Sequence, residues 1–185
     1  KKRIDASKKL AKEVIEDLKL MGITEAQLQF DISKIELNQF GCDKIDFLFS
    51  ANKGNQLGSL SKTASGGELS RVMLSLKRLM RSKTALPTIV FDEIDTGVSG
   101  EVADQMGDLM KKMGVDMQVL TITHLPQIAA KGNAHYKVYK SHDTRTTSSQ
   151  IKSLSNSERV DELAQMLSGT KITEASRQNA MELLK

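Results

Sequence analysis

The sequence predicts an α/β protein, and three observations carry the prediction. The spacing of apolar residues changes along the chain from helical to strictly alternating and back again. After Pro87 comes a continuous apolar run, Thr88-Ile89-Val90-Phe91, of the kind found in strands covered on both faces of a parallel sheet. A helical pattern near Gly100–Met113 and a second run from Gln118 to Thr123 follow it. Strand, helix and strand thus succeed one another within about 35 residues as a βαβ unit.

Taken in order, the segments fill in the rest. In residues 1–20, Ile4, Ala11, Val14, Ile15, Leu18 and Met21 recur at helical spacing, and Gly22 ends the run. The apolar stripe is narrow and its flanks are long and charged, as in a coiled-coil arm joining a globular body. Leu28, Phe30 and Ile32, then Ile45, Phe47 and Phe49, alternate with their neighbours and predict two strands. Asn52 to Leu60, with Gly54, Asn55 and Gly58, reads as a loop. Leu69, Val72, Met73, Leu76, Leu79 and Met80 predict an amphipathic helix from Glu68 to Met80. Beyond the βαβ unit, Tyr136 and Val138 open a strand that pairs as a hairpin with the Thr/Ser-rich stretch through Ile151 and Leu154. Ser155 and Glu158 have capping-box spacing for a helix stopped by Gly169, and a last helix covers the region of Thr173 to Leu184.

Composition narrows the function classes. At 185 residues the chain suits one domain that buries about 70% of its unfolded surface. Hydrophobic residues at 39% and charged residues at 27% exclude a disordered tail. The apolar runs are far shorter than the roughly 20 residues of a membrane-spanning helix. The single cysteine, Cys42, excludes a disulfide scaffold and favours a reducing compartment, and no signal segment opens the chain. The first residue is Lys1, so a fragment of a longer chain is expected. A net charge of +4 is too small to mark a nucleic-acid binder, and residues 1–20 carry +3 of it, which suits a solvated helix face, with contact to DNA as the alternative.

Three clusters bear chemistry. In Ser65-Gly66-Gly67-Glu68-Leu69-Ser70-Arg71, paired glycines precede a helix, so backbone N–H groups and the helix N-terminus can converge on an anion while the serine hydroxyl donates to a phosphate oxygen. Ser65 and Glu68 equally satisfy capping-box spacing. In Phe91-Asp92-Glu93-Ile94-Asp95-Thr96-Gly97, two acids leave the carboxyl end of a buried strand, where ligands of parallel sheets gather. Asp92 suits Mg²⁺, held directly or through water, and Glu93 suits a group that orients and activates an attacking water; ordinary surface acids are the plain alternative. Thr121-Ile122-Thr123-His124 brings a histidine to the same rim, to donate to a terminal phosphate or to position the water. His135 and His142 read as structural.

In combination and order, with 27 residues from Ser65 to Asp92 and 31 from Glu93 to His124, these clusters resemble the ABC-type ATPase head. Ser65–Arg71 resembles its signature motif, Ile89–Glu93 its Walker B strand with the catalytic glutamate, Asp95–Ser99 its D-loop and His124 its switch histidine. The runs Ala64–Arg71, Phe91–Gly100 and Thr123–Ala130 are further similar to the RecN family of bacterial SMC-like DNA-repair ATPases. The resemblance covers roughly residues 25–185, with residues 1–20 resembling the end of a coiled coil.

That resemblance implies the C-terminal lobe of an ABC/SMC-type P-loop ATPase head, a mostly parallel sheet flanked by helices, with an N-terminal coiled-coil stub. Residues 1–22 are then the arm and 23–185 the head. It implies ATP and Mg²⁺ as cofactors, catalysis by Glu93 and His124, and Asp92 as the metal ligand. Ser65, Gly66, Gly67 and Glu68 would face ATP of a second protomer, with Asp95 at the same interface. It implies a role in DNA double-strand-break repair and recombination, in the cytoplasm on the nucleoid. The partners would be DNA, the N-terminal half of the head and a second head, with no membrane. Arg71 either couples the two sites or pairs with an acid. No Gly-x-x-x-x-Gly-Lys-Ser/Thr loop occurs, so the chain alone is expected to be inactive. The rival readings are an ABC-type transporter ATPase subunit and a non-catalytic interaction module retaining the fold.

Overall fold

The computed structural model describes residues 1–80, 86–98, 100–142, 147–169 and 171–185. The chain opens with helix α1 (Lys2–Leu20), whose two halves differ. The first half is exposed, whereas Val14, Asp17 and Leu18 are buried against the body of the fold. Strands β1 (Gln27–Asn38) and β2 (Gly41–Ser50) form one long antiparallel hairpin beside it. The alternating residues meet in register, Leu28 with Phe49, Phe30 with Phe47 and Ile32 with Ile45. The rings of Phe30 and Phe47 pack edge to face with centroids 4.6 Å apart. At the tip the Asn38 side chain accepts the Phe40 N–H at 2.8 Å, and Gly41 takes φ 108°, a conformation that favours glycine. Short β3 (Gly58–Ser59) pairs with β2 and leads into α2 (Leu60–Thr63) and α3 (Gly66–Met80).

The βαβ unit is as the sequence predicts. Strand β4 (Thr88–Asp92), helix α4 (Gly100–Met113) and strand β5 (Gln118–Ile122) follow in order. The strands pair in parallel, from Thr88 opposite Gln118 to Asp92 opposite Ile122. Helix α5 (Pro126–Lys131), a hairpin of β6 (Tyr136–His142) and β7 (Thr147–Ser153), and helices α6 (Asn156–Ser168) and α7 (Glu174–Leu183) complete the chain. The Ser155–Glu158 capping box forms as its spacing requires. Glu158 also accepts from Lys152, and these bonds hold its carboxyl down at about 2.

Two expectations change in detail. Parallel pairing among the described residues is confined to β4 and β5; the other pairings are antiparallel. Nor is the Thr88–Phe91 run covered on both faces. Ile89, Phe91 and Val119 pack on the main core, while Val90, Leu120 and Ile122 on the opposite face are 58, 45 and 55% exposed. Part of the Thr/Ser-rich hairpin segment, residues 143–146, lies outside the described residues.

The main core joins α1, the β1–β2 hairpin, α3, α4 and α5, and methionine fills much of it, with Met21, Met106 and Met113 almost wholly buried. A smaller core of Leu163, Ala164 and Ala180 joins α6 and α7. One charged side chain ties two helices of the main core together. Asp17 is 6% exposed, accepting from Ser75 Oγ at 2.5 Å and Arg78 Nε at 2.8 Å and so tying α1 to α3. Asp17→Ala is therefore expected to cost about 3 kcal/mol, the low end for breaking a buried pair, because Arg78 keeps some solvent. Urea unfolding measures this, and a loss below about 1 kcal/mol would show the tie to be incidental.

Candidate functional site

The parallel register of β4 and β5 sets two loops side by side. Asp92 ends β4 with its side chain exposed, and Glu93 follows. Glu93 carries the ladder one residue further, its N–H donating to the Ile122 carbonyl at 3.1 Å. Its φ is 47°, and no other non-glycine among the described residues has a positive φ. That conformation is disfavoured for a side chain with a Cβ, and such strain gathers at functional positions. The loop then closes on itself: Thr96 donates to the Glu93 carbonyl through Oγ1 at 2.9 Å, and the Val98 N–H to the Asp95 carbonyl at 3.2 Å. Ser99, the last residue of the D-loop resemblance, lies outside the described residues.

His124 stands two residues beyond β5, its side chain 64% exposed, on the same rim as Asp92 and Glu93. Asp95, expected at the interface with a second protomer, is buried within this chain. It is 1% exposed, accepts from Thr123 Oγ1 and lies 3.8 Å from His124 Nδ1. Past it the loop turns at Gly97, which takes φ 77°, and Thr96 and Gly97 are exposed.

Ser65 and Gly66 sit exposed at the start of α3, one loop away. Ser65 Oγ accepts the Glu68 N–H at 3.4 Å while the Glu68 carboxylate accepts the Ser65 N–H at 2.8 Å. This is a capping box, and it is compatible with anion binding: the serine uses an oxygen lone pair and keeps its O–H to donate. Glu68 is occupied in holding the turn. Gly67 approaches the other loop closely, since a Cβ there would lie 3.2 Å from the Thr96 carbonyl oxygen. Among the described residues no hydrogen bond or ion pair joins Ser65–Glu68 to Asp92, Glu93 or His124. The structure thus gathers the acids with the histidine, and the signature turn with the D-loop.

Among the described residues no acid forms an ion pair with Arg71. Its Nη1 donates to the Met21 carbonyl at 3.0 Å and its Nε to the Gly67 carbonyl at 3.1 Å, so it braces the end of α1 against the first turn of α3. Burial pushes its guanidinium below the ordinary value, with the charge of Glu68 opposing. His135, expected to be structural, is half-buried on the turn into β6 and is held below the usual imidazole range by burial, then by Arg159. Thr123 was not singled out by its type. A threonine before a strand-end histidine is common in sequence, and only its partner Asp95 distinguishes it.

The donor set bears on a metal. No group of three or more His, Cys, Asp or Glu among the described residues is arranged to hold an ion. A single exposed carboxylate, Asp92, suits Mg²⁺, which keeps most of its ligands as water and phosphate oxygen.

No family model matches the chain. It is 43% identical over 183 residues to the DNA repair protein RecN of Rickettsia conorii, covering 99% of this chain and 34% of the relative. It is 44% identical over 151 residues to RecN of Bacillus subtilis, and 38% identical over 186 residues to RecN of Haemophilus influenzae. The chain thus spans about a third of the Rickettsia conorii relative's length. Among solved structures it is similar to the Smc head domain with coiled coil and joint of Pyrococcus yayanosii, with a TM-score of 0.64 and 20% identity over 83% of this chain and 28% of that one. An Smc head domain of Pyrococcus furiosus matches with a TM-score of 0.61 and 18% identity over 85% of this chain and 37% of that one. The fold is that of the C-terminal lobe of an SMC head.

Proposed function

Because the chain belongs to the RecN family, we propose that it is the C-terminal part of an ATP-hydrolysing head in a DNA repair protein. In this reading residues 1–22 end a coiled-coil arm and residues 23–185 are completed by the N-terminal half of the same head. The carrying observation is the bare side of the β4–β5 pair. Val90, Leu120 and Ile122 stand uncovered beneath strand ends that hold Asp92 and the strained Glu93, with His124 beside them. Covering such side chains is worth about 1.5–3 kcal/mol each when burial is complete, so a second lobe that also brings a phosphate loop is favoured.

In the complete head each residue has a task. Asp92 holds Mg²⁺, which neutralises phosphate charge when bound. Glu93 orients and activates the attacking water, and His124 positions that water or the terminal phosphate. Ser65, Gly66 and Gly67 offer the serine O–H and backbone N–H groups to ATP on a second protomer, and Glu68 holds their turn. ATP then joins two heads in a symmetric pair, and hydrolysis loosens them and moves the arms on DNA. No helix among the described residues is long and apolar enough to cross a membrane. A repair role on DNA puts the protein in the cytoplasm, and similarity to repair proteins along nearly the whole chain disfavours a transporter subunit.

Titration calorimetry of the chain alone is expected to detect no tight ATP binding. Co-expression with the N-terminal part of the polypeptide should restore both binding and turnover. Tight binding by the chain alone would overturn the split-head reading.

A further inference from the structure

We propose that Asp95 is a positioning residue for His124: its buried carboxylate pins Thr123 and draws the Nδ1–H of the imidazole, leaving Nε2 as an acceptor. The inference deepens the head reading above and rests on it for the use made of His124, but not for the geometry.

The carboxylate of Asp95 is 1% exposed, and only one of its oxygens is satisfied. Thr123 Oγ1 donates to Oδ2, whereas Oδ1 is buried without a hydrogen-bond partner. A buried carboxylate normally saturates its acceptors, so an orphaned oxygen calls for a donor within reach. Among the described residues no lysine or arginine pairs with Asp95; the side chain within ion-pair distance is His124, whose Nδ1 lies 3.8 Å from Oδ2, the oxygen that Thr123 already engages, beside the carboxylate whose Oδ1 still has acceptor capacity. That separation is too long for a hydrogen bond, but the imidazole is 64% exposed, so the proposal requires only a turn of a ring that little packing holds.

The pin reaches the backbone on both sides of the histidine. Thr123 precedes it, and Thr123 Oγ1 also accepts the Leu125 N–H at 3.0 Å. One buried group on the loop after β4 therefore sets the turn that carries His124 after β5. A neutral imidazole has a single N–H, and the hydrogen bond at one nitrogen decides which nitrogen holds it. A carboxylate beside Nδ1 selects the Nδ1–H form. His124 then accepts from a water O–H through Nε2 instead of donating to a phosphate, which separates the two roles open to it.

The test needs no nucleotide, so it stands whether or not the head reading does. Long-range proton–nitrogen correlation spectra of the chain, recorded well above the ordinary imidazole range, report the tautomer of each histidine. His124 is expected in the Nδ1–H form, and finding it in the Nε2–H form would overturn the proposal. Asp95→Ala should move it to the Nε2–H form, shifting both ring nitrogens by tens of parts per million; retention of the Nδ1–H form would remove Asp95 from the role. Should Asp95→Ala fail to fold, Thr123→Ser and Thr123→Val read the pin separately. The serine should keep the His124 resonances, and the valine should shift and broaden them. Unchanged resonances in Thr123→Val would overturn the pin.

Discussion

Glu93→Gln is expected to lower ATP turnover of the reconstituted head by about two to four orders of magnitude, the usual share of a positioned general base. This corresponds to about 3–5 kcal/mol of transition-state stabilisation. Glutamine matches glutamate in size, so the φ of 47° and the N–H bond to the Ile122 carbonyl should survive and the lobe should fold as before. Only the charge that activates water is lost. ATP binding and ATP-dependent dimerisation should therefore persist, and dimers should accumulate because their release depends on hydrolysis. Single-turnover hydrolysis and light scattering read the two effects separately. Normal turnover would remove Glu93 from the chemistry. Loss of dimers along with turnover would point to a role in binding.

Ser65→Arg is expected to do the reverse, abolishing ATP-dependent dimerisation while leaving nucleotide binding within each head intact. Ser65 is exposed at the start of α3, so the fold tolerates a large side chain there. The helix loses one capping acceptor, worth about 1 kcal/mol, and gains a cation at its positive end. Across the proposed interface the effect is larger. A hydroxyl bond to a charged phosphate is worth about 1.5–3 kcal/mol, and two-fold symmetry counts it twice. The dimer constant should weaken by about two to four orders of magnitude before any steric clash is added. Sedimentation with ATP, using heads blocked in hydrolysis by Glu93→Gln, isolates this step. An undiminished dimer would exclude Ser65 from the interface.

Both predictions concern residues whose type and order were legible in the sequence, because their chemistry is local. Paired glycines before a helical stripe, two acids at the end of an apolar run and a histidine at the end of the next are visible without knowledge of contacts. The same holds for the Ser155–Glu158 box and the stop at Gly169, each of which involves a few neighbouring residues. Short elements were less legible. The single turns α2 and α5 and the two-residue β3 are too brief to show a period, and β1 and β2 run on past their alternating residues to a tip where Leu37 and Phe40 are exposed.

Residues whose partners lie far along the chain are not legible in the sequence. Asp17 looked like one more acid on a solvated helix, yet Ser75 and Arg78, about 60 residues on, make it a buried tie. Arg71 reads as coupling two sites or pairing with an acid, yet its hydrogen bonds go to two backbone carbonyls, and a carbonyl leaves no mark on the sequence. Asp95 reads as a D-loop residue at an interface, and its contact with Thr123, 28 residues on, is visible only in the fold.

By itself, then, the sequence determined the α/β class, the βαβ unit and the identity of the residues at the strand ends, because period and motif order are properties of neighbours along the chain. Tertiary structure alone decided which face of β4 and β5 stays bare, that Glu93 is strained and that Asp95 looks toward His124. Those depend on register and on the packing of segments distant in sequence, and a linear pattern does not encode which partner a side chain meets once the chain has closed on itself.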